Sequence, residues 1–212
     1  MANITSKTLR CAVCGKESDQ QIVLSCYTSD MNLDQKPVPF VPPFTLECPY
    51  CHYAADDLSA PTSEETRAYV RGAEYQKWAL RQQDAWLRRL EGAAMIAGQQ
   101  QQWAEASSRW LVAAWYCEEH GISARARENR ERAVQTIETV PGLRLKPAQM
   151  LTYLDSLRQL GRFARAEQVA ARNEAGFAQA LGAEHLLTRI LRTELALVRK
   201  ADAAPHLVSE VE

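Results

Sequence analysis

The pattern of apolar and polar residues changes near residue 63. From there onward, apolar residues recur every three or four positions, the spacing that places them on one face of an α-helix. The two clearest stripes consist of Trp86, Leu87, Leu90, Ala93, Ala94 and Ala97, and of Trp103, Ala106, Trp110, Ala113, Ala114 and Cys117. No convincing strand pattern interrupts them. The second part of the chain is therefore predicted to be all-α, with short loops between antiparallel helices.

Capping signals predict where several of these helices begin and end. Ser63 is followed by two glutamates, and a hydroxyl with carboxylates behind it suits a helix N-terminus. Pro147 is predicted to open a later helix, after a more polar one over about 124–140. The glycines expected just after helix ends are Gly121, Gly161 and Gly182. Residues 201–212 are expected to form a flexible tail.

Composition divides the chain at the same place. Five of the six cysteines and six of the nine prolines precede residue 62, whereas all five tryptophans follow it. The prolines between Lys36 and Pro43 exclude a helix or a central strand there, because each lacks an amide donor. We therefore predict a small module over 1–62, a helical domain over 63–200 and a tail over 201–212.

Two Cys-x-x-Cys pairs in the first segment predict a metal site. Cys11-Ala-Val-Cys14 and Cys48-Pro-Tyr-Cys51 supply four thiolates, which satisfy a tetrahedral Zn²⁺ at about 2.3 Å. A glycine follows the first pair and suits a tight turn, but His52 follows the second. A segment this short buries little apolar surface, whereas zinc can contribute on the order of 10 kcal/mol to folding. The prediction is a zinc-ribbon-like module in which four cysteines hold a structural zinc ion.

Other uses of the same cysteines are weaker interpretations. An iron–sulfur cluster takes the same four thiolates, and spacing alone does not separate it from zinc. Catalytic zinc needs an open coordination position, which four thiolates do not leave. A redox dithiol would lie at a helix N-terminus in a βαβ unit, which the prolines do not permit. Because no nucleotide-binding loop, His-Glu-x-x-His motif or nucleophile elbow occurs, we do not expect an enzyme.

The remaining cysteines and histidines have no predicted chemistry. Cys26 is isolated from any pair and is expected to be a free, partly buried thiol. Cys117 lies on an apolar helix stripe and is expected in the core. His120 lies near a predicted helix C-terminus, where an imidazole is favourable, and we assign no role to His185 or His206.

Net charge and the length of apolar runs narrow the classes of partner and the cellular compartment that we expect. The chain has 25 basic and 26 acidic residues, so no global basic excess favours nucleic acid. No apolar stretch is long enough to span a membrane, and the first ten residues lack the pattern of a secretion signal. We expect a soluble cytoplasmic protein, in which paired cysteines are more often metal ligands than disulfides.

The helical part resembles tetratricopeptide repeats. The segment Leu160-Gly-Arg-Phe163-Ala-Arg-Ala166 resembles the hinge of such a repeat, and the segment from Trp103 to Ala113 resembles the second helix of another such repeat. However, Ala106 and Ala166 are 60 positions apart, where adjacent repeats differ by about 34. The resemblance implies a tetratricopeptide-like domain, and an ordinary helical bundle stays open as the alternative.

The order of features along the whole chain resembles an uncharacterised bacterial domain-of-unknown-function family. Members carry a Cys-x-x-Cys-Gly knuckle, then a Cys-Pro-x-Cys-x-Tyr-Ala knuckle, then tetratricopeptide-like helices. The matching residues are Cys11, Cys14, Gly15, Cys48, Pro49, Cys51, Tyr53 and Ala54. His52 stands where the family usually has glycine. The resemblance implies zinc binding and carries no known activity.

Three functions follow as hypotheses. The leading one is a non-enzymatic adaptor that docks a protein or peptide partner on its helical surface. The second is binding of nucleic acid or an acidic partner, which requires six arginines to converge on one face rather than pair with Glu128, Glu131 and Glu167. Those arginines are Arg125, Arg127, Arg130, Arg132, Arg162 and Arg165. The third is a redox or metal-handling protein with a labile metal or a reactive Cys26.

Overall fold

A computed structural model describes residues 3–25, 27–41, 45–140 and 142–211. The prediction for Cys26 lies outside these residues. The strands are β1 Asn3–Arg10, β2 Glu17–Ser25, β3 Asp30–Met31, β4 Pro37–Val38, β5 Leu46–Glu47 and β6 Ala54–Ala55. The helices are α1 Glu64–Arg71, α2 Ala73–Arg81, α3 Ala85–Gln99, α4 Trp103–Glu119, α5 Ser123–Glu138, α6 Pro147–Gln159, α7 Phe163–Leu181 and α8 Leu186–Arg199, with a 3₁₀ turn at Val208–Glu210. The described chain is thus mainly helical, with its strands near the N-terminus.

The strands form three antiparallel hairpins, which pair β1 with β2, β3 with β4, and β5 with β6. The longest hairpin pairs residues from Arg10 with Glu17 to Asn3 with Ser25. The first and third hairpins each enclose one Cys-x-x-Cys pair. Within its described residues, 36–41, the proline-rich stretch contributes only the two-residue strand β4, which is compatible with proline because a strand at a sheet edge needs fewer amide donors.

The chain divides into two compact units. The first consists of Met1–Tyr27 and Val41–Ala126, and the second of Thr28–Phe40 and Arg127–Glu212. Each unit therefore combines a piece of the cysteine-rich segment with helices. The predicted module over 1–62, helical domain over 63–200 and tail over 201–212 are statements about which parts of the chain fold independently. These boundaries stay predictions.

The helix predictions in the first unit are confirmed, except that the first tryptophan of each stripe, Trp86 or Trp103, is not fully buried. Ser63 caps α1, and its hydroxyl accepts the amide of Thr66 at 3.1 Å. The two predicted stripes lie on α3 and α4, which pack together. Their buried members are Leu87, Leu90, Ala93, Ala94, Ala97, Ala106, Trp110, Ala113, Ala114 and Cys117. Trp86 is instead 41% exposed, because it lies in the first turn of α3 with its ring against the Arg89 guanidinium.

The core of the second unit lies among α6, α7 and α8. Pro147 begins α6 as predicted. The buried apolar residues of these helices are Leu151, Tyr153, Leu154, Leu157, Ala166, Val169, Ala170, Phe177, Ile190, Leu191, Leu195 and Val198. The described end of the chain has specific contacts here: Leu207 bridges to Asn32, and Arg189 donates to the Val211 carbonyl at 2.7 Å. The flexibility predicted for 201–212 stays a prediction.

A buried ionic network ties this end of the chain to the helices. The Arg158 side chain is fully buried, contacts Asp155 and donates from Nε to Glu194 at 2.8 Å. It also donates to the carbonyls of Asp202 and Ala204 at 2.8 and 2.6 Å. Burial and the neighbouring Asp155 raise the pKa of Glu194 to about 9. Burial also raises the pKa of Asp155, and the Arg158 guanidinium opposes both shifts, which limits the cost of burying the cluster.

One turn geometry recurs between helices. Gln101, Gly121 and Gly161 have φ of 60°, 70° and 75°, and each follows a helix end. In each case the next amide donates to the carbonyl five residues earlier, for example from Arg162 to Leu157 at 2.8 Å and from Gln102 to Ala97 at 2.9 Å. This is the Schellman arrangement that glycine favours. The predictions at Gly121 and Gly161 are confirmed, whereas Gln101 carried no glycine signal.

Exchanging the turn residues should change stability in opposite directions. A left-handed conformation disfavours any side chain, so Gln101→Gly should raise the free energy of unfolding by about 1 kcal/mol. Gly161→Gln should lower it by about 1 kcal/mol, through the backbone alone, because a Cβ there meets nothing within 4 Å. Urea denaturation measures both changes. A destabilised Gln101→Gly variant would contradict the assignment of this turn.

Candidate metal centre

Four cysteine sulfurs meet in the first unit. The Sγ atoms of Cys11, Cys14, Cys48 and Cys51 all lie within 4.8 Å of one another. Cys11 Sγ lies 3.7 Å from Cys51 Sγ, and Cys14 Sγ lies 3.6 Å from Cys48 Sγ. Disulfide sulfurs would be about 2.05 Å apart, whereas sulfurs at about 2.3 Å from one tetrahedral ion are about 3.8 Å apart. The cluster could therefore bind a metal ion.

The first knuckle is a tight turn between β1 and β2. The Cys11 amide donates to the Lys16 carbonyl at 2.9 Å, and the Gly15 amide donates to the Cys11 carbonyl at 2.8 Å. The Val13 amide points at Cys11 Sγ from 3.4 Å. Gly15 has φ of 75°, so glycine at this position relieves the strain of the turn.

The second knuckle repeats this geometry between β5 and β6. The Cys48 amide donates to the Tyr53 carbonyl and the His52 amide to the Cys48 carbonyl, both at 2.9 Å. His52 has φ of 60° and occupies the place of Gly15. The His52 Nδ1 lies 2.7 Å from Oε1 of the buried Glu47, which also binds Arg88 Nε at 2.6 Å. These contacts favour the histidine side chain in a conformation that otherwise suits glycine.

Side chains of helices α1 and α2 donate hydrogen bonds to backbone carbonyls of both knuckles. Arg67 Nε donates to the Ala12 carbonyl at 3.2 Å, and Arg71 donates to the Val13 carbonyl. On the second knuckle, the Tyr75 hydroxyl donates to the His52 carbonyl and Gln76 Nε2 to the Cys51 carbonyl, both at 2.8 Å. Sequence reasoning missed these residues, because single long polar side chains on a helix carry no periodic signal.

The electrostatics of the cluster favour a cation. The Cys51 thiol donates to Cys11 and, against the effect of burial, lowers the pKa of Cys11 to about 5. Burial raises the pKa of Cys48 to about 11, and the hydrogen bond to Cys11 together with burial raises the pKa of Cys51. Deprotonation of one cysteine therefore disfavours deprotonation of its neighbours. Four thiolates can coexist at this spacing only beside a positive ion, and a bound metal deprotonates its thiol ligands.

The cluster is largely enclosed by the protein. Cys11, Cys48 and Cys51 are buried, and Cys14 is partly buried. Apolar side chains of the same core surround the sulfurs, among them Val13, Leu46, Tyr53, Leu58 and Val70. Four protein sulfurs in an apolar shell complete a tetrahedral site without a position for water. This arrangement is typical of a structural metal ion.

The other predicted residues lie elsewhere. Cys117 is fully buried on α4, and within the described residues only the four clustered cysteines form a group that could hold a metal. The His120 ring stacks on Tyr116, with centroids 4.1 Å apart. His185 caps α8 by accepting the Leu187 amide at 3.2 Å, and His206 lies 3.0 Å from the carboxylate of Asp202.

Comparison with known proteins identifies no relative of this chain. No family model matches the chain, and no curated protein or solved structure matches it. Membership in the domain-of-unknown-function family therefore stays a prediction that rests on the knuckles. Within the described part of the chain, no helix is long and apolar enough to cross a membrane.

Removing one clustered cysteine should abolish stoichiometric metal binding. We expect Cys48→Ser to purify with far less than the one metal ion per chain expected of the unaltered protein, because three sulfurs leave an incomplete site. The matched control is Cys26→Ser, which should keep full metal content. Elemental analysis by mass spectrometry measures both. Equal metal content in the two variants would exclude this cluster as the site.

Proposed function

We propose that this protein is a non-enzymatic adaptor, stabilised by one structural zinc ion at Cys11, Cys14, Cys48 and Cys51, that binds a protein or peptide partner. The observation that carries the proposal is the closed set of four sulfurs. It provides a full tetrahedral shell, so the ion has a folding role and no free position for a substrate.

The choice of zinc rests on the turns as well as the sulfurs. Both knuckles place a left-handed residue directly after the second cysteine, at Gly15 and His52. This leaves each pair in a compact loop that directs two sulfurs to a common point. Zinc accepts such a site without redox chemistry, which suits an ion whose role is to hold two hairpins together.

A tetratricopeptide-like arrangement is part of the proposal for the helices. The pairs α3–α4 and α6–α7 share the same connecting turn, and each second helix begins with an aromatic residue, Trp103 or Phe163. Three residues further on, Ala106 and Ala166 are both buried. Aromatic and small residues in matching places support two related helical hairpins, whose outer faces would be available to a partner.

The arginines weigh against nucleic acid as the partner. All six candidates lie within salt-bridge distance of a carboxylate, which reduces their capacity to neutralise phosphate. The pairs are Arg125–Glu91, Arg127–Glu131, Arg130–Asp34, Arg132–Glu128, Arg162–Glu138 and Arg165–Glu138. Glu128 and Glu131 thus pair as expected, whereas Glu167 pairs with Arg199 instead.

Removal of the metal should unfold the first unit selectively. The cluster lies in the core of that unit, whereas the second unit has a separate apolar core among α6, α7 and α8. A strong chelator should therefore abolish amide hydrogen-exchange protection in β1, β2, α1 and α2 and leave it in α6–α8. Mass spectrometry of exchanged peptides measures this. Metal loss with unchanged protection in the first unit would contradict a structural role.

A specific partner should depend on the folded metal site. Affinity capture from an extract of the source cells should retain a stoichiometric protein partner on the intact chain and lose it with Cys48→Ser. Failure of any partner to appear, together with turnover of a small molecule by the intact protein, would overturn the adaptor proposal.

A further inference from the structure

A groove of about 550 Å³ lies beside the second knuckle in the first unit. Strand β2 forms one wall with Asp19, Gln20, Gln21 and Val23, whereas β1 contributes only Ile4 to the described lining. The opposite wall is the first part of α3, including Trp86 and Arg89, and His52 lies at the knuckle end. We call this the β2 groove.

The β2 groove follows the edge of a strand. Successive side chains of a strand point to opposite faces, so a groove lined by the consecutive residues Asp19, Gln20 and Gln21 passes along the edge of β2. Ile4 and its partner Val23 place one end of the groove on a face of the β1–β2 hairpin. The other edge of β2 pairs with β1, and within the described residues β2 has no second partner strand. Gln20 fixes β2 beside the knuckle, because its Nε2 donates to the Glu47 carbonyl at 3.3 Å. An unpaired strand edge offers backbone donors and acceptors to an extended peptide.

Arg89 gives the groove a preference for negative charge. Its guanidinium lies 4.4 Å from the centroid of the exposed Trp86 ring, which orients it. Its Nε is buried and has no hydrogen-bond partner in the described part of the protein. A guanidinium with one buried N–H lacking an acceptor is costly to hold, and a ligand carboxylate beside the same guanidinium in the groove would offset part of that cost through its charge.

The other charges of the groove are already engaged. Arg88 donates from Nε and Nη2 to Glu47 at 2.6 and 3.3 Å, and from Nη1 to the Gln82 carbonyl at 3.0 Å. Asp19 accepts the Thr8 hydroxyl at 2.6 Å. Arg88 and Glu47 therefore balance each other, whereas one hydroxyl hydrogen bond leaves the charge of Asp19 in place on the β2 wall. Arg89, on the α3 wall, is left to recognise an acid from outside.

We propose that the β2 groove binds an extended peptide segment that adds to the free edge of β2, places an Asp or Glu carboxylate on Arg89 and lays an apolar side chain on Trp86. This inference rests on the proposed binding function and names a surface for it that lies beside the metal centre. Main-chain hydrogen bonds along β2 would supply affinity, while Arg89 and Trp86 would supply specificity.

The test begins with a phage-displayed library of random linear peptides selected on the zinc-loaded full chain. The consensus is expected to contain one Asp or Glu next to an apolar residue. A synthetic consensus peptide is the probe, and changing its acid to the corresponding amide should weaken binding about tenfold or more. Binding should also slow amide exchange at alternate residues of β2, whose outward N–H groups would meet the peptide.

Variants of the chain separate recognition from folding. Arg89→Gln should lower the affinity for the acidic peptide about tenfold or more and leave the affinity for the amide peptide unchanged. The effects of the Arg89→Gln substitution and of the acid-to-amide change in the peptide are therefore not additive. Arg89→Lys should retain part of the affinity, because it keeps the charge without the planar fork. The matched control is Arg172→Gln on α7, which should bind normally. Metal content equal to that of the unaltered chain shows that each variant is folded.

Several results would overturn the inference, the first three from the peptide experiments. These are a consensus without an acid, equal affinity of Arg89→Gln and the unaltered chain for the acidic peptide, or unchanged exchange of β2. A monomer–dimer equilibrium that Arg89→Gln abolishes would instead identify a second copy of this chain as the occupant, and would also overturn it. If cellular partner capture survives Arg89→Gln but not Cys48→Ser, the groove inference fails while the adaptor function stands.

Discussion

Four sulfur atoms within 4.8 Å of one another are the constraint on which the first unit depends. Because the pKa of Cys11 is lowered while those of Cys48 and Cys51 are raised, the bare cluster holds little negative charge. A divalent cation would remove this conflict, since it would stabilise all four thiolates at once. The free energy gained in this way would be coupled to folding, because the two knuckles are far apart in the sequence and meet only in the folded chain.

The helices adjacent to the cluster belong to the same unit as the four cysteines. Arg67, Arg71, Tyr75 and Gln76 donate to carbonyls of the knuckle loops, so α1 and α2 fix the backbone that presents the sulfurs. A bound metal and these helices would therefore stabilise each other. The second unit has a different basis: its core is apolar, and the fully buried Arg158 links α6, α8 and the carbonyls of residues 202 and 204.

Local signals in the sequence predicted the helix stripes, the cap at Ser63, the turns at Gly121 and Gly161 and the proximity of the four cysteines. Each depends on residues a few positions apart or on a strong motif. The assignment of residues 28–40 to the second unit could not be predicted, because it depends on contacts such as Asp34 with Arg130, almost a hundred positions away. The prediction that Trp86 belongs to the buried stripe was wrong. Apolar spacing predicts which face of a helix is buried, but not that solvent reaches the first turn of that face. The β2 groove also had no local signal, since its lining residues come from four separate segments of the chain.

The most direct test of the central claim is X-ray absorption spectroscopy of the purified protein at the zinc and iron edges. The account predicts zinc as the bound metal, with a single shell of four sulfur atoms at about 2.3 Å. A shell that contains oxygen or nitrogen ligands would contradict a closed site of four cysteines. An iron signal with metal–metal scattering would show a cluster instead of a single structural ion.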